Sequence, residues 1–360
     1  MGKIHATVHF RQQPSIGQKM RYLIVDMSNM FFRARHAAFR AADTDEKVGY
    51  AMHVTLTSIN KMYRQFGADH VIFCLEGKSW RKTVYPKYKK NRTDARAKLT
   101  QKEQEEDKVF WETYDELTKY LKEQTNCSVL RHKQSEADDI IARWIDLHPD
   151  DDHIIISSDT DFVQLLADNV QQYNGVMGHL ITNKGILDDK NKLVIDKKTG
   201  KPKEIPDPEW LLFEKCIRGD STDNIFSAYP GVRKKGTKNK TGLIEAYDDR
   251  KSKGFSWNNL MLQRWTDHEG KEHRVLDDYE RNRMLIDLRA QPEEIKQEID
   301  SAIASQVTRK DINQVGVRFM KFCGRHELIR LSEMASQLSE WLNKTYQGAL
   351  DDQSNTSHIK

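Results

Sequence analysis

Nowhere does this chain of 360 residues carry the run of about 18 apolar residues that a membrane-spanning helix needs, so neither a transmembrane helix nor a membrane partner is expected. The stretch from Met1 to Gln18 is polar and mixed. It lacks the apolar core of a secretory signal, and a cytoplasmic location is expected. Cysteine is scarce. Cys74, Cys127, Cys216 and Cys323 form no Cys-x-x-Cys pair and match no zinc spacing. Cys74 lies in an apolar run and reads as a small core residue. No Ser/His/Asp or Cys/His set points to nucleophilic catalysis, and the 13 histidines are scattered. Internal repeats are lacking. So is a large charge excess: the formal net charge is +4, too small by itself to mark a nucleic-acid binder.

The charges that are present are segregated by sign. Residues 78–99 hold nine Lys or Arg and a single acid, Asp94, while acids gather in short clusters elsewhere. Apolar patterning supplies the frame. Residues 22–26, 70–76 and 153–157 are continuous apolar runs, and 127–130 is a shorter one; such runs fit strands covered on both faces. Helical stretches alternate with them, at about 48–66, 100–124 and 135–147, and another is expected to start at Asp161. The alternation predicts an α/β fold with a mostly parallel central sheet flanked by helices. Residues 171–206 read as irregular short hairpins, and the chain from Pro208 onward as helical. The expected division is a flexible extension over 1–19, a core over 20–206, a helical part over 207–346 and a disordered tail over 347–360. In the helical end, Leu328, Ile329, Leu331, Leu338, Trp341 and Leu342 are expected to pack on the body.

Acids stand where the strands end. Asp26 closes the first run, Glu76 the second, and Asp159 and Asp161 follow the third long one. Ligands of open α/β sheets collect at the carboxyl ends of strands, so these acids are expected in one crevice. Asp159 and Asp161, if extended, point the same way about 6.6 Å apart. Glu136, Asp138 and Asp139 add three more at the head of a helix that Ser135 is expected to cap. The helix macrodipole favours acids there by roughly 0.3–1 kcal/mol, yet that does not explain three on an Ile-rich helix. Asp220 and Asp223, in Gly219-Asp-Ser-Thr-Asp-Asn224, fit an ordinary turn equally well. Gathered together, these nine carboxylates would repel unless divalent cations lay between them. Oxygen-only ligation suits Mg2+ or Mn2+. Two such ions roughly 3.5–4 Å apart stabilise both the attacking and the leaving oxygen of a phosphoryl displacement.

The basic segment interleaves Lys78, Arg81, Lys82, Lys89, Lys90 and Arg92 with Trp80, Tyr85 and Tyr88. Cations neutralise phosphates, and rings stack on unpaired bases. A solvated loop is the plainer reading, but the place directly after Glu76 favours nucleic acid. A second run, Arg233, Lys234, Lys235, Lys238 and Lys240, sits between Gly231 and Gly242, where backbone N–H groups can approach a phosphate. An exposed loop is an equal reading of that run. Acids in a crevice beside a basic segment suit the hydrolysis of a polyanion.

Taken in order, Val25-Asp26, Leu75-Glu76-Gly77, Glu136-Ala-Asp-Asp139, Ser158-Asp-Thr-Asp161 and Gly219-Asp-Ser-Thr-Asp-Asn224 resemble the flap endonuclease or 5′-nuclease superfamily, above all its bacteriophage members of the ribonuclease H type. Tyr88-Lys-Lys-Asn-Arg92 matches the helical-arch segment of that family, and the match spans about residues 22–247. The resemblance implies a PIN-like nuclease core with a helical arch over 78–108 and a C-terminal helix-turn-helix part. It implies an Mg2+-dependent phosphodiesterase of DNA replication, a 5′→3′ exonuclease and flap endonuclease acting on flaps, nicks and free 5′ ends. RNA in RNA–DNA hybrids is a further implied substrate. The first metal site would draw on Asp26, Glu76, Glu136 and Asp138, and the second on Asp161, Asp220 and Asp223. Asp159 would lie between them as a catalytic residue, with Asp139 in support through water. Lys89 and Arg92 would steer the scissile phosphate. A monomer in the cytoplasm, that of the host for a phage protein, completes the picture, with a single-strand-binding protein or a clamp as partner. Two departures stand out. Glu76 occupies a position where the family has Asp. The turn from Gly231 to Gly242 is longer and more basic than the family's, which leaves its K+ site open.

Rival readings fit less well. RNA endonucleases of the PIN type are shorter and lack the arch and the helical half. A non-catalytic binder of branched DNA has no use for nine acids that repel DNA. A haloacid-type phosphatase wants Asp-x-Asp, and this chain has Asp26-Met27-Ser28.

Overall fold

The apolar runs become strands because each alternates between two buried layers. In β1 (Arg21–Asp26), Leu23 and Val25 enter one layer while Tyr22 and Ile24 enter the other. The computed structural model describes residues 19–37, 43–205, 207–307 and 310–348, so the expected extension over 1–19 and tail over 347–360 fall almost wholly outside the described residues. Parallel strands flank β1: β2 (His70–Leu75) on one side, followed by β3 (Ser128–Arg131), and β4 (Asp152–Ile156) on the other, followed by β5 (Val170–Asn174). Two antiparallel strands, β6 (His179–Thr182) and β7 (Gly185–Leu187), extend the same sheet, giving the order β3-β2-β1-β4-β5-β6-β7. The expected parallel core is present. The segment expected as irregular short hairpins forms two of them, β5–β6 and β6–β7, and these extend the edge of the sheet.

Helices α1 (Met27–Ala37) and α2 (Thr44–Phe66) connect β1 to β2. Between β2 and β3 come α3 (Arg81–Val84), α4 (Lys90–Arg96) and the long α5 (Gln101–Gln124). Thr100 caps α5 by accepting from the Glu103 N–H, while Glu103 accepts from the Thr100 N–H. Helix α6 (Ala137–Asp146) links β3 to β4, and a 3₁₀ turn, Thr160–Leu165, stands where a helix was expected. After the sheet run α7 (Pro208–Arg218), α8 (Leu243–Asp248) and α9 (Phe255–Met261). A hairpin of β8 (Arg264–Thr266) and β9 (Glu272–Arg274) then breaks the expected all-helical pattern. The chain continues through α10 (Val275–Ile286), α11 (Glu293–Gln306), α12 (Val315–Arg325), α13 (Ile329–Glu333) and α14 (Ala335–Leu342).

One core layer joins α1, α2, α5 and the last three helices to the sheet; the other joins α6 and α11 to it. A third cluster, around Phe213, Leu243, Trp257 and Val275, is separate. Leu328, Leu331, Leu338, Trp341 and Leu342 pack inward as expected, whereas Ile329 is 70% exposed. Among the described residues no helix is long and apolar enough to cross a membrane.

Away from the carboxylates, His148 stacks on Trp144 with centroids 4.1 Å apart, and His153 points Nε2 at the His148 carbonyl 2.9 Å away. Burial lowers both imidazoles to about 4, and His70 to about 3. A depressed folded-state value means that the neutral ring supports folding fully above about pH 6.5, and that the support is lost as the pH falls towards 4. A His153→Gln variant has no such proton to take up. Its urea-unfolding free energy should fall less steeply than the wild type's between pH 6.5 and 4, by about 1.4 kcal/mol per pH unit. Identical slopes would show that His153 titrates as it does in the unfolded chain.

Candidate active site

Strand register delivers the acids to one edge of the sheet. Asp26 ends β1 opposite Cys74 of β2, one residue past the Val25–Ile156 pair of β1 and β4. Its Oδ2 accepts the Ser157 hydroxyl at 3.0 Å, and its Oδ1 accepts the Asn29 N–H at 3.2 Å. Glu76 leaves β2 on the same edge and accepts the Ala137 N–H at 3.2 Å, at the head of α6. That approach requires Gly77, because a β-carbon there would stand 2.0 Å from the His132 carbonyl oxygen. The cap of α6 is Glu136 rather than Ser135, whose buried hydroxyl lies 3.2 Å from His132 Nδ1. Carboxylate oxygens of Glu136, Asp138 and Asp139 come within 4.8 Å of one another.

A second group forms where β4 and α7 end. Asp159 accepts the Asp161 N–H at 2.9 Å. Lys215 of α7 pairs with Asp161 and lies 2.8 Å from Asp220 Oδ2. Helix α7 stops at Gly219, with φ +78°, where a β-carbon would meet the Ile225 carbonyl oxygen at 2.3 Å. The tight Asp220–Ile225 turn that follows presents Asp220 and Asp223. Asp223 joins the two groups. Arg92 Nη2 donates to its Oδ1 at 2.6 Å, and Lys89 pairs with both Asp223 and Glu136. The Tyr88 hydroxyl lies 2.8 Å from Glu136 and 3.1 Å from Asp223.

Crowding shows in the acidities. Burial raises Asp26 to about 6, and Asp159 adds to the rise. Burial, Glu136 and Asp26 together raise Glu76 to about 8. Burial and Asp139 push Asp138 well above the carboxylate range. Burial would raise Glu136 too, but Lys89 and Arg81 outweigh it and hold the carboxyl at about 2. Four cations, Arg81, Lys89, Arg92 and Lys215, pair directly with members of this set of nine carboxylates. Protons or divalent ions must supply the rest of the positive charge, and the all-oxygen donors suit hard ions.

Asp139 is committed elsewhere. Arg81 grips both its oxygens at 2.8 Å, and Trp80 Nε1 (3.2 Å), Gln291 Nε2 (3.0 Å) and the Glu136 N–H (3.1 Å) also donate to it. Three expectations for the basic segment are corrected here. Arg81, Tyr88 and Trp80 are buried among these acids, so they offer no face to nucleic acid. Lys78, Lys82, Lys90 and Arg92 are exposed, while Lys89 turns inward from a left-handed backbone, φ +51°. In the second run, Arg233, Lys234, Lys235, Lys238 and Lys240 are exposed on a turn that Glu245 braces by accepting the Gly236 and Gly242 N–H groups.

Residues 21–198 match the family model described as 5′-3′ exonuclease, N-terminal resolvase-like domain. Residues 21–198 thus form a domain of the 5′-3′ exonuclease family. The chain is 30% identical over 181 residues, 50% of its length, to a DNA polymerase I of Rhizobium leguminosarum, but spans only 15% of that polymerase. To a 5′-3′ exonuclease of Buchnera aphidicola it is 28% identical over 241 residues, covering 65% of this chain and 73% of that protein. A crystal structure of a bacteriophage T5 flap endonuclease, a pseudo-enzyme–product complex with DNA and metal ions, aligns with 89% of this chain and 99% of its own. There the TM-score is 0.52 and the identity 20%, a likeness of fold.

The family model ends before α7, and Asp220, Asp223 and Lys215 join the site from beyond it. Lys215 was not singled out from sequence, because one lysine in an amphipathic helix carries no spacing signal. Ser79, which donates to Glu136 at 2.9 Å, and Gln291 were missed for the same reason.

Proposed function

We propose that this protein, which carries a 5′-3′ exonuclease N-terminal domain, is a structure-specific 5′ nuclease, acting as 5′→3′ exonuclease and flap endonuclease on DNA with flaps, nicks or free 5′ ends. What supports this reading is that acids from β1, β2, α6, the end of β4 and the α7 turn lie within electrostatic reach of one another, beside Lys89 and Arg92. Asp26, Glu76, Glu136 and Asp138 would hold one Mg2+ ion and Asp161, Asp220 and Asp223 a second, with Asp159 between. Such ions, when bound, stabilise the attacking and leaving oxygens of phosphodiester hydrolysis. Asp139 keeps Glu136 in place through Arg81. Lys89 and Arg92 exchange their carboxylate partners for the scissile phosphate and orient it. Lys78, Lys82 and Lys90 neutralise flanking phosphates, and the turn from Arg233 to Lys240 holds duplex backbone. RNA in RNA–DNA hybrids fits the same contacts, since none of them reads a base. A K+ ion at that turn is no part of this reading. The chain works as a monomer in the cytoplasm, with a core over 20–206 and a helical part over 207–346. Its C-terminal helices are left for a clamp or single-strand-binding protein.

The test is cleavage of 5′-labelled flap, blunt and hybrid substrates, with and without Mg2+. Mg2+-dependent release from the 5′ end of the flap is expected, and its absence on all three substrates would overturn the reading. In the same assay, Lys89→Ala and Arg92→Ala should slow cleavage far more than they weaken duplex binding. Each lost phosphate contact should flatten the salt dependence of binding by about 0.7–0.9. Unchanged rates and slopes would remove these two residues from the site.

A further inference from the structure

Phe226, three residues beyond Asp223, is an apolar ring left 50% exposed. Its position is nevertheless fixed. Its carbonyl accepts Asn282 Nδ2 at 2.8 Å and Arg281 Nη2 at 3.3 Å, and Asn282 is itself fully buried and also anchors the Cys216 carbonyl at 2.9 Å. Tyr85 meets the ring edge-on, centroids 6.5 Å apart. Lys87, from the root of the basic segment, holds Nζ 4.9 Å from the ring centroid. The Lys87 carbonyl accepts Asn224 Nδ2 at 2.6 Å, which locks that root to the turn carrying Asp223. The Phe226 backbone is therefore anchored three residues beyond a carboxylate of the site, with Lys87 Nζ over one face of the ring and Tyr85 at its edge, and the opposite face is the one offered to a ligand.

We propose that Phe226, with Lys87, forms a stacking platform for one unpaired nucleobase of the 5′ strand next to the scissile phosphate. The proposal rests on the nuclease reading above and deepens it. Every base offers a π-face, so the platform is indifferent to sequence. A fully paired blunt end keeps its bases stacked in the duplex and offers the ring no free face. The platform thus favours flaps and frayed ends over blunt ones. Lys87 serves the phosphate that accompanies the stacked base. Of the basic segment's aromatic candidates, Trp80 and Tyr88 are buried and cannot take this role, and Tyr85 is half-buried with its ring edge-on against Phe226.

The experiment compares the wild type with Phe226→Ala and Phe226→Trp. Anisotropy measures binding of a 5′-flap DNA and of the same duplex without a flap, with Ca2+ in place of Mg2+, and 2-aminopurine at the first unpaired flap position reports stacking. Phe226→Ala should weaken flap binding about tenfold, within what one lost base–aromatic stack removes, while blunt binding stays within about twofold. Fluorescence quenching by the wild type should disappear in the Ala variant, and Phe226→Trp should restore both signals. Unchanged flap binding and quenching in Phe226→Ala would overturn the proposal and leave the ring to a protein partner. Equal weakening on flap and blunt DNA would also overturn it, as would a lowered melting temperature that accounts for the loss. Wild-type Mg2+-dependent cleavage, run in parallel, separates this failure from a failure of the nuclease reading.

Discussion

Asp159→Asn and Asp161→Asn should each give a folded protein that cuts a labelled 5′ flap at least 10³-fold, in order of magnitude, more slowly than the wild type in Mg2+, a larger loss than the roughly 10–100-fold expected for an outer hydrogen-bond partner of a metal ligand. Asparagine keeps the size of aspartate and one carbonyl oxygen. The Asp161 N–H that reaches Asp159 Oδ1 at 2.9 Å therefore retains an acceptor in Asp159→Asn. What is lost is one negative charge and one anionic donor at the end of β4. Asp159 is exposed and Asp161 only part-buried, so neither holds up the core. Burial raises Asp161, although Lys215 counteracts it. Removing a charge from this crowd relieves repulsion, so in EDTA the variants should melt no lower than the wild type. Circular dichroism and urea midpoints check the fold, and a Mg2+ titration of the cleavage rate checks the site. Full Mg2+-dependent activity in either variant would remove that residue from the reaction.

The parts of the fold that were legible in the sequence are those where local pattern and burial agree. Strand β1 could be read because both its faces are covered, which leaves an uninterrupted apolar run ending on Asp26. The converging acids other than Asp220 and Asp223 could be read because each lies just beyond such a run or at a helix head. Side-chain direction was not legible. Arg81 and Lys82 are neighbours in one basic stretch, yet one is buried and the other exposed. The partners that pull Arg81 inward, Asp139, Glu136 and the Leu285 carbonyl, are 55 to 204 positions away, and no local period records them. Glu136 displaced Ser135 as helix cap for a similar reason, since His132 and the Gly77 N–H occupy Ser135. Lys215 and Asn282 act only through the packing of α7 and α10, which the resemblance does not describe residue by residue.

That buried guanidinium is where stability and site geometry meet, and Arg81→Met should destabilise the protein by about 3–5 kcal/mol in urea unfolding. Arg81 is 1% exposed. Besides its grip on Asp139, it donates to Glu136 at 3.1 Å and to the Leu285 carbonyl at 2.7 Å, and it lies 4.7 Å from the centroid of the Trp80 ring. Methionine fills part of the volume but leaves a fully buried Asp139 carboxylate facing only neutral donors. Lys82→Met, one residue along and exposed, should change stability by less than about 0.5 kcal/mol. Arg81→Lys should fall between the two, because an ammonium keeps the charge but cannot serve Asp139 with two parallel bonds while reaching Leu285. Removing the orphaned acid as well, in Arg81→Met with Asp139→Leu, should recover much of the lost stability without restoring cleavage, since Glu136 would still lack its brace. If Arg81→Met proved as stable as Lys82→Met, the guanidinium would have to face solvent, and the root of the basic segment would be open to nucleic acid after all.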